Sequence, residues 1–173
     1  MDEIRNIILE VENLKSDKNF TQAIALLQKT LVKYSDDYRL YEELADIYLY
    51  MGDNIKAFAA LDFSLTLNSQ SATGNYLKWF ILLGEDKVSE SIAYLEKSNT
   101  LFGNNAEVLR NLGWAYTMSG QHDRGIMMLK RALNISPEDE LITEDLAMAL
   151  IGTGDIRGGN KLLKKIGKSQ TKS

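Results

Sequence analysis

The sequence predicts an all-α fold of about five helix pairs, and two observations carry this prediction. A pattern of small and apolar residues recurs every 34 residues along the 173-residue chain. The pattern is clearest from Asn111 to Pro137, where one apolar helical face precedes Gly120 and a second follows it. Repetition at this period is typical of stacked helix pairs, because one pair cannot bury its apolar face alone.

Two columns of the repeat lie in the second helix of each pair. A small residue follows the turn in every repeat, at Ala23, Ala57, Ser91, Gly125 and Gly159. Leucine stands four residues later in every repeat, at Leu27, Leu61, Leu95, Leu129 and Leu163. A small residue lets two helices approach closely, and a large apolar residue one turn away fills the adjoining space. We therefore expect each pair to cross at its small residue.

The turns within the pairs carry their own signals. Three of them contain a glycine suited to the left-handed residue that ends a helix, at Gly52, Gly120 and Gly154. Asp53 and Asp155 follow directly and are expected to cap the second helix. Ser136 is expected to cap the fifth repeat, with Pro137 at the first helical position.

On these residues the chain resembles tetratricopeptide repeat (TPR) proteins. The fourth repeat matches the family signature best, with Leu112, Gly113, Tyr116, Gly120, Leu133 and Pro137. The second repeat matches with Leu44, Ala45, Tyr48, Gly52 and Ala57, whereas the signature tryptophan is absent from every repeat. The resemblance implies a right-handed α-solenoid of about five helix-turn-helix (TPR-like) repeats. It also implies a non-enzymatic protein that binds other proteins.

We expect one continuous solenoid over residues 1–166, followed by a basic, frayed tail over residues 167–173. The expected repeats are about 4–36, 37–70, 71–104, 105–138 and 139–166. The third is the least regular, because Trp79 stands where the other repeats have valine, alanine or glycine. Either its first helix is displaced, or extra residues in the turn at 84–87 shift the frame by about two. That helix is apolar almost all round, which favours packing on most sides over an exposed binding surface.

Composition narrows the function classes. The chain has no cysteine and a net charge of -4, and no apolar run is long enough to cross a membrane. No cleavable leader is evident at the N-terminus, so a cytoplasmic location is expected unless a leader has been removed. Residues 157–173 contain six basic residues and no acidic one. This end is interpreted as a polar cap; nucleic acid is not an expected partner, since no aromatic residue is interleaved.

The family resemblance places a partner on the first helices, which line the inner face of such solenoids. The predicted groove joins the exposed positions of these helices, namely Glu42, Asp46, Tyr50, Tyr76, Phe80, Arg110, Trp114, Met118 and Met148. Its aromatic and methionine side chains suit an apolar or amphipathic peptide, with Glu42, Asp46 and Arg110 at the edge. The alternative is that these residues pack against one another or against a terminus.

Other functions are less well supported by the sequence. The positions that form a carboxylate clamp in some TPR proteins are not basic here. No catalytic constellation, cofactor site or metal site is expected, and His122 is interpreted as a packing residue of a turn. Two alternatives to an adaptor remain: a self-associating assembly subunit, or a small chaperone of the kind found in secretion systems.

Overall fold

The computed structural model describes residues 3–168, which form ten α-helices and no strand. The helices are α1 (Glu3–Ser16), α2 (Phe20–Leu31), α3 (Tyr38–Tyr50), α4 (Asn54–Leu67), α5 (Ala72–Gly84), α6 (Val88–Phe102), α7 (Ala106–Met118), α8 (His122–Ile135), α9 (Glu140–Gly152) and α10 (Ile156–Lys165). Most of the predicted frayed tail, residues 169–173, lies outside the described residues.

The helix bounds follow the 34-residue period of the sequence. The first helices of successive pairs end one period apart, at Ser16, Tyr50, Gly84, Met118 and Gly152. The second helices begin four residues after these ends. In the third repeat α5 ends at Gly84 and α6 begins at Val88, on the period, so the proposed frame shift is wrong.

Each turn within a pair contains a residue with positive φ at the same repeat position. These residues are Lys18, Gly52, Asp86, Gly120 and Gly154. The Asp53 N–H donates to the Tyr48 carbonyl at 2.9 Å, one residue after the left-handed Gly52. This bond spans the turn and satisfies a carbonyl at the helix end.

The predicted aspartate caps are confirmed, and the predicted serine cap is wrong. Asp53 accepts from the Lys56 N–H at 3.1 Å and Asp155 from the Gly158 N–H at 2.9 Å. Before α9, however, Asp139 is the cap and accepts from the Ile142 N–H at 3.0 Å.

Ser136 instead follows α8 and begins a four-residue turn, with its carbonyl accepting from the Asp139 N–H at 3.1 Å. Pro137 occupies the second position of this turn, where its fixed φ is favoured.

The chain divides into two compact units, residues 1–85 and 86–173. In unit 1, α1 pairs with α2, α3 pairs with α4, and α5 packs on α3 and α4. In unit 2, α7 pairs with α8, α9 pairs with α10, and α6 packs on α7. The expectation of one continuous solenoid stays a prediction.

The small-residue column lies where the helices cross. Ala57 and Ala45 are fully buried between α3 and α4. Between α7 and α8 the contact involves the backbone itself: a Cβ on Gly125 would lie 2.7 Å from the Gly113 carbonyl oxygen. The leucine column is also buried, which includes Leu61 and Leu129.

In α5 most of the apolar surface is packed, as the packing interpretation expects. Trp79 is buried, and its ring lies 5.3 Å from the Tyr76 ring, measured between centroids. Lys78 is buried as well, with its Nζ 3.0 Å from Asp62 Oδ1 and 3.4 Å from the centroid of the Phe58 ring. Because the aliphatic stem of lysine is apolar, Lys78 can occupy the position that leucine holds in the second, fourth and fifth repeats. Phe80 is the aromatic residue of α5 that stays exposed.

Candidate functional site

Unit 1 contains a pocket of about 270 Å³ between α3 and α5, which we call the α3/α5 pocket. Its lining residues are Asp46, Leu49, Tyr50, Tyr76, Leu77 and Phe80. Four of the nine predicted groove residues therefore meet here, and all four come from first helices.

Helical spacing explains why these side chains share a surface. Residues three and four apart lie on one face of a helix. Asp46, Leu49 and Tyr50 have this spacing on α3, and Tyr76 and Phe80 have it on α5. Because α5 packs against α3, the two faces adjoin and leave the pocket between them.

The aromatic rings of the pocket are supported and still accessible. Tyr50 is 69% exposed and stacks on Phe20, with ring centroids 6.1 Å apart and an interplanar angle of 15°. Phe80 is 53% exposed and contacts the buried Trp79 edge to face. The pocket therefore offers aromatic surface that is held in place before any ligand binds.

One carboxylate lies in the pocket, and its charge is partly balanced by α1. Lys15 Nζ contacts Asp46 Oδ2 and lies 2.9 Å from Glu43 Oε2. Burial lowers the pKa of Lys15, but the hydrogen bonds and charges of Asp46 and Glu43 outweigh it and raise the pKa. Lys15 thus stays charged. Burial raises the pKa of Glu43, and the hydrogen bond and charge of Lys15 oppose that rise. With both carboxylates ionised, the three groups together carry one net negative charge.

Glu42 does not lie at the edge of a groove, so this part of the prediction is wrong. Its side chain is 6% exposed, and Ser64 donates a hydrogen bond to Glu42 Oε1 at 3.2 Å. Burial raises the pKa of Glu42, and hydrogen bonds from Ser71, Ser64 and the Gly74 backbone oppose the rise. Glu42 therefore joins α3 to α4 and the start of α5, and a partner cannot reach it.

The other four predicted residues lie in unit 2, on α7 and α9. Trp114, Met118 and Met148 are exposed, as expected of binding residues. Arg110 is half-buried, and its Nε lies 2.5 Å from Asp145 Oδ2 on α9, so its charge is already paired. We describe these residues as a second surface, the α7/α9 patch.

Sequence reasoning missed the role of Lys15. Lys15 neutralises part of the pocket's charge, although it belongs to α1 and not to the helices that line the pocket. A signal was present: Lys15 is one period before Leu49, so the two occupy equivalent positions on neighbouring first helices.

His122 was expected to pack in a turn, but it is exposed in the first turn of α8 and the packing prediction is wrong. Across residues 3–168, no group of three or more histidine, aspartate or glutamate side chains is arranged to hold a metal ion. None of the helices in this range combines the length and apolar character that a membrane crossing requires.

Comparison with known proteins identifies the fold. The sequence profile described as a tetratricopeptide repeat matches residues 106–139, which include α7 and α8. No curated protein sequence matches the chain. Solved structures do match, and three of them illustrate the range.

MamA from Desulfovibrio magneticus RS-1, from its residue 41 to the end, is 18% identical, with 96% of this chain and 94% of that chain covered and a TM-score of 0.81. PilF of Pseudomonas aeruginosa is 15% identical, with 98% of this chain and 77% of that chain covered and a TM-score of 0.84. YrrB, described as a TPR protein with an unusual peptide-binding site, is 16% identical, with 92% of this chain and 82% of that chain covered and a TM-score of 0.75. The predictions of a TPR protein and of an all-α helical-repeat fold are confirmed.

Proposed function

We propose that this chain, with its tetratricopeptide-repeat fold, is a non-enzymatic scaffold or adaptor that binds an apolar or amphipathic peptide segment of a protein partner. The observation that carries the proposal is the α3/α5 pocket, where Tyr50, Tyr76 and Phe80 surround a space open to solvent. Exposed aromatic residues that line a preformed pocket are frequent hot spots of protein interfaces.

The size of the pocket favours a side chain of a peptide over a free small molecule. Pockets that hold drug-sized ligands usually have volumes of about 300–1,000 Å³. The α3/α5 pocket is smaller, at about 270 Å³, and is open. It fits one or two anchoring side chains of a segment whose backbone stays outside. The peptide-binding site attributed to YrrB shows that this fold can serve such a purpose.

The α7/α9 patch is the second contact surface of the proposal. Met118 and Met148 are exposed and flexible, and methionine adapts to partners of different shape. Trp114, one turn before Met118 on α7, supplies a rigid aromatic surface.

The location of the protein belongs to the same proposal. A chain without cysteine needs no oxidising compartment, and we place the adaptor in the cytoplasm.

A pull-down from native cell extract tests the function. We compare wild type with Phe80→Ala/Trp114→Ala, which removes one exposed aromatic ring from each surface. The matched control is Ile55→Ala/Met127→Ala, which removes exposed apolar side chains from second helices of the same two units. Far-UV circular dichroism and thermal melting establish that all three proteins are folded.

The expected result is a partner that the wild type and the control variant retain and the aromatic variant loses. A partner retained equally by all three proteins contradicts the proposal. If the wild type captures only further copies of itself, self-association is the better function. Light scattering across protein concentrations then measures the size of the assembly.

A further inference from the structure

The α3/α5 pocket combines three aromatic rings with a single carboxylate. Tyr50 comes from α3, Tyr76 and Phe80 come from α5, and Asp46 lies one turn before Tyr50. The faces of aromatic rings are regions of negative electrostatic potential and attract cations. A carboxylate beside them adds a full negative charge, so all four groups favour the same kind of ligand.

The charge of Asp46 is not cancelled by its neighbours. Lys15 contacts Oδ2 of Asp46 and is shared with Glu43, so one cation serves two carboxylates. The side chain of Asp46 is 28% exposed, so part of the carboxylate stays in contact with solvent in the free protein. One net negative charge is left at the pocket.

A purely apolar anchor would fit this pocket poorly. It would displace the water around the exposed part of Asp46 and desolvate its charge, which is costly. A basic side chain replaces that water with a hydrogen-bond donor and places its positive charge near the rings. Its aliphatic stem packs on Leu49 and Leu77, which complete the lining.

Arginine suits the pocket better than lysine does. Its guanidinium group is planar, is more weakly hydrated than an ammonium group and stacks on aromatic rings. We infer that the α3/α5 pocket recognises an arginine side chain of the bound segment, flanked by apolar residues. This inference rests on the proposed function and names the partner's chemistry at one position.

A peptide series tests the inference. The probes are short fluorescein-labelled peptides with leucine at alternate positions and a central residue that is arginine, citrulline, lysine or leucine. Citrulline has nearly the shape of arginine but no charge, so this pair isolates the charge. Fluorescence anisotropy measures the affinity of each peptide for the full-length chain.

On the wild type, the arginine peptide is expected to bind about tenfold more tightly than the citrulline peptide. Rising salt should reduce this ratio, because ions screen the charge on Asp46. Asp46→Asn should bring the ratio close to one, and the leucine peptide should bind at least as tightly as to wild type, because a neutral amide costs less to desolvate than a carboxylate. The matched control is Glu10→Gln, which removes one exposed carboxylate of unit 1 outside the pocket and should keep the ratio.

A second variant separates the ring faces from the apolar area. Phe80→Leu keeps an apolar side chain but removes the π-system, so it should lower the ratio between the affinities of the arginine and citrulline peptides. Equal affinity of the arginine and citrulline peptides for wild type overturns the inference, as does a preference that Asp46→Asn leaves intact.

These failures are distinguishable from failure of the proposed function. If all peptides bind equally and Phe80→Ala weakens every one of them, the pocket binds peptides without a charge preference. If none of the peptides binds, the arginine inference is wrong, and the pull-down with Phe80→Ala/Trp114→Ala decides the proposed function separately.

Discussion

Replacing Gly113 by alanine is expected to destabilise the protein, although alanine is the better helix former. Gly113 lies on α7 where this helix crosses α8. A Cβ at this position would lie 2.6 Å from Leu129 Cγ, 2.9 Å from the Gly125 carbonyl oxygen and 3.1 Å from the Leu129 backbone nitrogen. Two of these three atoms belong to the backbone of α8, so a new side-chain rotamer cannot relieve the contact.

The magnitude follows from two opposing terms. Packed carbon atoms normally lie about 3.5–4.0 Å apart, so Leu129 has to move by about 1 Å and α8 has to shift with it. Overpacking of this kind costs about 1–3 kcal/mol. The better helix propensity of alanine returns up to about 1 kcal/mol. We therefore expect the free energy of unfolding to fall by about 0.5–2 kcal/mol.

The matched control is Gly152→Ala, at the end of α9 in the same unit. A Cβ at Gly152 meets no atom within 4 Å, so this variant tests helix propensity without a steric contact. It should be as stable as wild type or more stable, by up to about 0.5 kcal/mol.

Thermal unfolding followed by circular dichroism checks both variants. For a chain of this size, 1 kcal/mol corresponds to about 2–4 °C in Tm, so Gly113→Ala should melt about 1–8 °C below wild type. Denaturant midpoints provide a second measurement, because a repeat array can depart from two-state unfolding. A Gly113→Ala protein as stable as wild type would refute the close crossing of α7 and α8.

Three further substitutions test the turns and the buried polar groups. Lys18→Gly should raise the free energy of unfolding by about 0.5–1 kcal/mol in urea titrations, because Lys18 has a φ of 59° that costs a side chain more than it costs glycine. Glu42→Gln should be more stable than wild type at pH 7, and this difference should vanish below pH 4.5. Burial raises the pKa of Glu42 in the folded protein, so the wild type loses stability as the pH rises above 4.5 and through the folded-state pKa. Burial and the neighbouring Glu96 raise the pKa of Tyr116 to about 12, and Arg124 also contacts its hydroxyl at 2.6 Å. Stability from the neutral phenol is complete below about pH 10 and is lost as pH rises to about 12, so unfolding titrations should show Tyr116→Phe destabilised below pH 10 and closer to wild type above it.

The helix pairs could be predicted because the same requirement is repeated five times. A close crossing places a small residue on each helix, as Gly113 and Gly125 show between α7 and α8, and the 34-residue period marks these positions in most repeats. Even the third repeat keeps the helix bounds of the others, despite Trp79 in place of a small residue. Helix length and turn length therefore depend on the period more than on any one side chain.

Single polar residues could not be placed in this way. Glu42 has the spacing of an exposed residue, but its burial depends on Ser64, Ser71 and Gly74, which belong to α4 and the start of α5. Ser64 and Ser71 stand at positions that are polar in other repeats as well, such as Ser98 and Asp139, so their spacing does not mark the burial of Glu42. The cap before α9 is a different case, because the caps of the first helices do follow the period: they are Asp37, Ser71, Asn105 and Asp139.

The charge of the candidate site cannot be predicted from the sequence of one helix alone. The spacing of Asp46 and Tyr50 on α3 predicts a shared surface, and the structure adds Tyr76 and Phe80 from the next first helix. The net charge at this surface, however, also depends on Lys15 from the preceding first helix. Because the α3/α5 pocket adjoins two first helices and its charge depends on a third, the chemistry of its ligand has to be read across three repeats together.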